Sequence, residues 1–179
     1  MAEESNNVRI KLTGVRLSYP HLFVKQAYQE NAPKYSASFI LDPSTKQGAK
    51  DIKAIEDAVE KLKKKIGLKK LGEDKCCLKD GGEDDENTNG KMIVRSSNTA
   101  RPKVKNRRGK DLAEGDDGSP YGGCYVNAII DVYGNVKYKG VFATLMGVQM
   151  VRDGESFGGN SRLEDGAFED LGDAEDDEV

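Results

Sequence analysis

Residues Gly122–Val151, GGCYVNAIIDVYGNVKYKGVFATLMGVQMV, carry the strongest structural signal in the chain. Cys124, Val126, Ala128, Ile130 and Val132 alternate with Tyr125, Asn127, Ile129, Asp131 and Tyr133. Alternation with a period of two is the mark of a half-buried strand, since successive side chains point to opposite faces. Gly134-Asn135 reads as a two-residue hairpin turn, and Val141 to Val151 as the returning strand.

Upstream, KYSASFIL places Tyr35, Ala37, Phe39 and Leu41 on one face and Ser36, Ser38 and Ile40 on the other, and Asp42-Pro43 ends it. VRIKLTGVRL, Val8 to Leu17, reads as a strand with a bulge at Gly14, followed by a loop, SYPHLF. From Lys50 to Ile66 the period changes. Ile52, Ile55, Val59, Leu62 and Ile66 fall on one helical face, with Asp57–Lys61 and Glu60–Lys64 as favourable pairs on the exposed side. Gly72–Gly90 is polar and glycine-rich and reads as a mobile surface loop; Lys91–Val94 reads as a short strand. Several strands, one helix and glycine-rich loops point to a mainly β protein built as a small closed or partly closed barrel.

Composition narrows the function. Charged residues make up 33% of the chain and apolar ones 36%, and no run approaches the roughly 18–20 apolar residues a membrane helix needs. MAEESNNVRI has neither the basic nor the apolar region of a signal peptide. Cys76, Cys77 and Cys124 suit neither a disulfide framework nor a zinc knuckle. These features predict a cytoplasmic protein without membrane partner, cofactor or metal. His21 lacks a nucleophile or acid motif beside it, so catalysis is not expected.

The net charge of −3 hides a partition. Nine of the 31 acids lie in Leu163–Val179, LEDGAFEDLGDAEDDEV, which leaves residues 1–162 with 28 basic and 22 acidic residues, a net +6. The segment KMIVRSSNTARPKVKNRRGK, 91–110, contains Lys91, Arg95, Arg101, Lys103, Lys105, Arg107, Arg108 and Lys110 and no acid. Such a run attracts a polyanion. Tyr125, Tyr133 and Tyr138 follow it, with Tyr19 and Phe157 as further candidates for stacking on bases. Cations for phosphates and exposed rings for bases are the two requirements of single-strand recognition. The alternatives are a solvated basic loop with tyrosines that merely pack, an interaction protein whose acidic tail mimics nucleic acid, and a nuclease holding a metal on Asp131, Asp153 and Glu155.

GVRLSYPHLF with KYSASFILDP, then SSNTARP, GGCYVNAIIDVYGN and GVFATLMGVQMVRDGESFGG, in that order, resemble the single-stranded DNA-binding proteins of tailed bacteriophages. The resemblance runs from about Val8 to Gly159. It implies an OB-fold, a five-stranded Greek-key barrel with the helix capping or flanking it. It also implies sequence-independent binding of single-stranded DNA in phage replication and recombination inside the bacterial host, with room for self-association along DNA. The domain would span 8–160, between a disordered N-terminus, 1–7, and a disordered acidic tail, 161–179. The tail residues Glu164, Asp165, Phe168, Glu169, Asp170, Asp173, Glu175, Asp176, Asp177 and Glu178 would compete with DNA for the basic groove and recruit phage or host replication proteins. Related tails close on an aromatic residue; this one ends Glu178-Val179, with Phe168 well inside.

Overall fold

The computed structural model describes residues 7–27, 30–157, 168 and 171–172. Most of both ends lies outside these residues, and so does the expectation of their disorder. Seven strands and one long helix follow in the order β1 (Val8–Gln26), β2 (Lys34–Leu41), α1 (Lys46–Lys65), β3 (Leu78–Asp80), β4 (Met92–Asn98), β5 (Lys103–Lys105), β6 (Tyr125–Asn135) and β7 (Gly140–Arg152).

Five of the strands close on themselves. The sheet runs β4-β2-β1-β6-β7, and a parallel pairing at Ser97 and Thr144 joins β4 back to β7. This is the Greek-key connectivity of an OB-fold barrel. β3 adds antiparallel to the outer edge of β4, and β5 adds parallel to β7. Inward residues of all five barrel strands, among them Leu12, Leu17, Phe39, Val94, Ile130 and Leu145, are fully buried.

β1 is the shared wall. Its first half, Val8 to Arg16, pairs with β6, and its second half, Arg16 to Gln26, with β2. The changeover falls at Arg16, just after a bulge between Leu12 and Val15 where Gly14 takes φ +63, a conformation glycine adopts without steric cost. Two amides freed there find side-chain acceptors. Thr13 N donates to Asp51 Oδ2 of α1 (3.1 Å) and Gly14 N to Asn127 Oδ1 of β6 (2.9 Å).

The helix starts earlier than the apolar spacing indicates. Thr45 caps it, its Oγ1 accepting from Gly48 N (3.0 Å), and Gly67 (φ +77) closes it with Gly67 N to Lys64 O and Leu68 N to Lys63 O. Ile52, Ile55, Ala58 and Leu62 are buried against the barrel, and α1 touches β1, β2, β6 and β7. The exposed ion pair that forms is Glu60–Lys63 (2.8 Å), not the i,i+4 pairs.

Three other readings change. SYPHLF is not a loop: β1 continues through it, kinked at Tyr19 (φ 46) with a register shift before His21. Gly134-Asn135 is not the turn either. Asn135 still pairs with Gly140, leaving Val136–Lys139 as a four-residue connection. Gly134 answers to tertiary packing, because a Cβ there would lie 2.8 Å from Ile66 Cγ2 of the helix. The stretch from Gly72 to Gly90 contains a 3-10 turn (Glu73–Lys75), β3, and buried Cys77 and Thr88.

Candidate nucleic-acid interface

Two depressions adjoin at Ile40 on the outside of β1, β2 and β4. One, of about 310 Å³, has Ser18, Tyr19, Ser38, Lys79, Arg95 and Phe157 among its lining residues. The other, of about 220 Å³, is lined in part by Gly14, Arg16, Lys91, Tyr125 and Arg152. Together they make one face with five cations: Arg16, Lys79, Lys91, Arg95 and Arg152.

Arg16 is fixed at its centre. Its Nε donates to Gly123 O (3.0 Å) and its NH2 nitrogen to Glu155 O (2.7 Å). The guanidinium carbon lies 4.3 Å from the Phe157 ring centroid and 5.8 Å from that of Tyr125, and Arg152 lies 3.9 Å from the Tyr125 centroid. Two chain segments fold together to hold this cluster. Gly123 (φ +111) lies so close to 155–156 that a Cβ would meet Glu155 O at 2.1 Å. Tyr121 OH donates to Asp153 Oδ1 and Gly154 O (both 3.0 Å), and burial raises the Tyr121 phenol's pKa. Phe157 N then donates to Gly122 O (3.1 Å). Tyr19, on the strained kink of β1, is 77% exposed; an exposed ring held by a strained backbone is a feature that clusters at functional sites.

Arg95 is exposed on β4, and its backbone N–H donates to Cys77 O (2.8 Å). The neighbouring Cys76 thiol is lowered to about 6, first by its hydrogen bond with Cys77 and further by the charge of Arg95. Cys77, buried beside it, is pushed up. Asp42 is lowered by its two hydrogen bonds from Ser44.

The basic run is divided by the fold. Lys91 and Arg95 belong to this face. Arg101, Lys103 and Lys105 line a separate groove of about 520 Å³, opposite Arg9 and Lys11. There Arg9 makes a two-pronged ion pair with Asp131 (2.8 and 3.0 Å), which raises its pKa, and Lys105 pairs with Asp111, which lowers that carboxyl. Arg107 and Arg108 sit on the turn after β5, where Asn106 Oδ1 accepts from the amides of Arg108 and Lys110 (both 2.9 Å).

Tyr133 and Tyr138 line neither surface. Tyr133 is half-buried 6.1 Å from Phe142, and burial raises its pKa. Tyr138 is exposed at the β6–β7 connection. Of the carboxylates weighed as metal ligands, Asp131 is bound to Arg9 and Asp153 to Tyr121. Of the tail residues, Phe168 is described and 82% exposed; the nine acids lie outside the described residues.

Sequence reasoning missed Arg16, Arg152 and Lys79. Lys79 and Arg152 are lone cations in their strands, but Arg16 stands on the outward register of an alternating strand beside Arg9 and Lys11, and that signal was available.

A closed five-stranded barrel bearing a cationic, partly aromatic face is the architecture of an OB-fold nucleic-acid-binding protein. The chain belongs to the family described as "Enterobacter phage Enc34, ssDNA-binding protein", whose model matches residues 8–179. It is 36% identical over 182 residues to "Putative protein p50" of Acyrthosiphon pisum secondary endosymbiont phage 1, covering 96% of this chain and 98% of that one. Among solved structures it is similar to the single-stranded DNA-binding protein of bacteriophage Enc34 in complex with ssDNA, with TM-score 0.74 and 27% identity over 88% of this chain and 96% of that one. A single-stranded DNA-binding protein encoded by bacteriophage T7 shares the fold, at TM-score 0.52 and 12% identity over 92% of this chain and 99% of that one. No helix among the described residues is long and apolar enough to cross a membrane.

Proposed function

We propose that this protein binds single-stranded DNA without sequence preference across the β1–β2–β4 face. The observation that carries the reading is Arg16, held by two backbone carbonyls against Phe157 and beside Tyr125. A guanidinium fixed in this way offers both a phosphate contact and a flat surface for a base, without having to be ordered on binding. Arg95, Lys91, Lys79 and Arg152 follow the phosphates; Phe157 and exposed Tyr19 take bases, while Tyr125 positions Arg152. Coverage by such a protein protects single strands in phage replication and recombination, in the cytoplasm of the infected host. Binding and covering, not catalysis, is then the whole activity.

The acidic tail acts as a tethered competitor. Joined to a body of net +6, it stands at an effective concentration on the order of millimolar. A long strand displaces it, which frees it for replication or recombination partners.

One comparison tests both parts: labelled oligo-dT and duplex titrated with the full chain and with residues 1–162 at two salt concentrations. Five phosphate contacts at about −0.7 each give a log–log salt slope near −3.5, about a hundredfold loss from about 50 mM to about 200 mM. Single-strand preference with that slope is the expected result, and a flat salt response sinks the electrostatic account. Tighter binding by residues 1–162 supports competition; equal binding removes it.

A further inference from the structure

The 520 Å³ groove between β1, β5, β6 and β7 shares no lining residue with the β1–β2–β4 face. Its two walls are cationic, Arg9 and Lys11 on β1 against Lys103 and Lys105 on β5, and none of its lining residues is acidic. Its floor is apolar, with Ile129 of β6, 37% exposed, beside Met146 and Val148 of β7. Opposed rows of cations over an apolar floor match a nucleic-acid strand whose phosphates face the walls and whose bases lie against the floor.

We propose that this groove is a second subsite for single-stranded DNA, entered by the same strand that occupies the β1–β2–β4 face. The proposal rests on that face being the first subsite. The continuity is built into β1 and β6. Lys11 in the groove and Arg16 on the face stand on one strand, either side of the Gly14 bulge. Asn127 in the groove and Tyr125 on the face are successive outward residues of β6, about 7 Å apart along a strand. Asn127 also accepts from Gly14 N (2.9 Å), so the bulge is pinned where the two regions meet. A strand leaving the face at Tyr125 and Arg16 therefore passes directly to Asn127 and Lys11. The groove holds that second stretch by charge and by contact with aliphatic side chains.

The test is a length series. Fluorescence anisotropy of oligo-dT of about 6 and about 20 nucleotides, one near the lower end of the usual footprint of one OB-fold and one beyond its upper end, is measured with the full chain, with Lys11→Glu/Lys103→Glu, and with Ile129→Ser as a milder second variant. The charge variant is expected to bind the short oligonucleotide within about twofold of wild type and the long one at least about tenfold more weakly, with a shallower salt slope for the long one alone. Ile129→Ser should show the same length dependence to a smaller extent. Unchanged or tighter binding of the long oligonucleotide overturns the inference; tightening would mark the groove as a seat for the acidic tail. Equal loss at both lengths also overturns it, because the groove would then be the primary site. Arg95→Glu on the face separates the two readings: loss at both lengths keeps the face as first subsite whatever the groove does.

Discussion

The β1–β2–β4 face and the β1–β5–β6–β7 groove both draw on β1, β6 and β7 and differ in almost everything laid over them. The face carries Tyr19, Tyr125 and Phe157, with Arg16 locked among backbone carbonyls. None of the residues lining the groove is aromatic, and two of its cations, Arg9 and Lys105, already hold carboxylates. Both regions are lined by cations, and only the face has rings among its lining residues. Charge along a sequence therefore locates attraction, whereas the backbone that immobilises a side chain decides where binding is preorganised.

The most drastic way to break the comparison is to remove what the regions have in common. Leu12, fully buried on β1, is expected on change to Ala to cost about 2–5 kcal/mol of stability. A urea melt reads this, and both regions should fail together as the barrel unfolds. A smaller, one-sided effect comes from Phe157→Ala. Loss of one stacking platform is worth about 1–3 kcal/mol, read as weaker binding of short and long oligo-dT alike with an unchanged salt slope. A changed slope would mean that Phe157 acts by placing Arg16.

Gly14→Ala probes the junction. A side chain at φ +63 costs about 1–2 kcal/mol, and the melting temperature should fall accordingly. Binding of long strands should suffer more than that of short ones if the bulge aligns the two regions. The smallest effect is a reporter of the Arg95 charge. Cys76, lowered to about 6, should react with iodoacetamide well before buried Cys77 and Cys124, its rate rising through about pH 6 as thiolate forms. Arg95→Ala removes a charge that favours the thiolate, so the midpoint should move up; an unmoved midpoint would place the Arg95 charge elsewhere.

Much of the barrel was legible because its strands are half-buried and so alternate. β2, β6 and β7 and the apolar face of α1 are written in periods of two and of three to four. The short strands β3 and β5 have no room for a period. Gly134 was read as a turn because its neighbour is Asn; its actual reason, the approach of Ile66, is tertiary and leaves no local mark. Tyr19-Pro20 resembled a loop because the kink in β1 uses turn residues. The candidate site was legible as composition more than as geometry. Residues 91–110 announce charge, yet the chain crosses from β4 to β5 within them and deals their cations to two surfaces and the turn after β5. Arg16 and Arg152 meet at Tyr125 from opposite ends of the chain, a proximity only pairing can reveal.

The place of β1 at the centre of the barrel also sets the order of assembly. It is synthesised first, but its partner β6 begins at Tyr125, so about 100 residues must be made before that pairing can form. At about 5–20 residues per second the ribosome needs roughly 5–20 s for this, and pairings so distant in sequence fold slowly in any case. During that wait the second half of β1 already has β2 to pair with, while its first half, up to Arg16, is an unpaired strand edge, the kind of segment that joins other chains into aggregates. Arg9, Lys11 and Arg16, spaced along its outward side, are the charges that oppose such pairing. The cations proposed to hold a DNA strand in the finished protein thus first serve as gatekeepers for the nascent one.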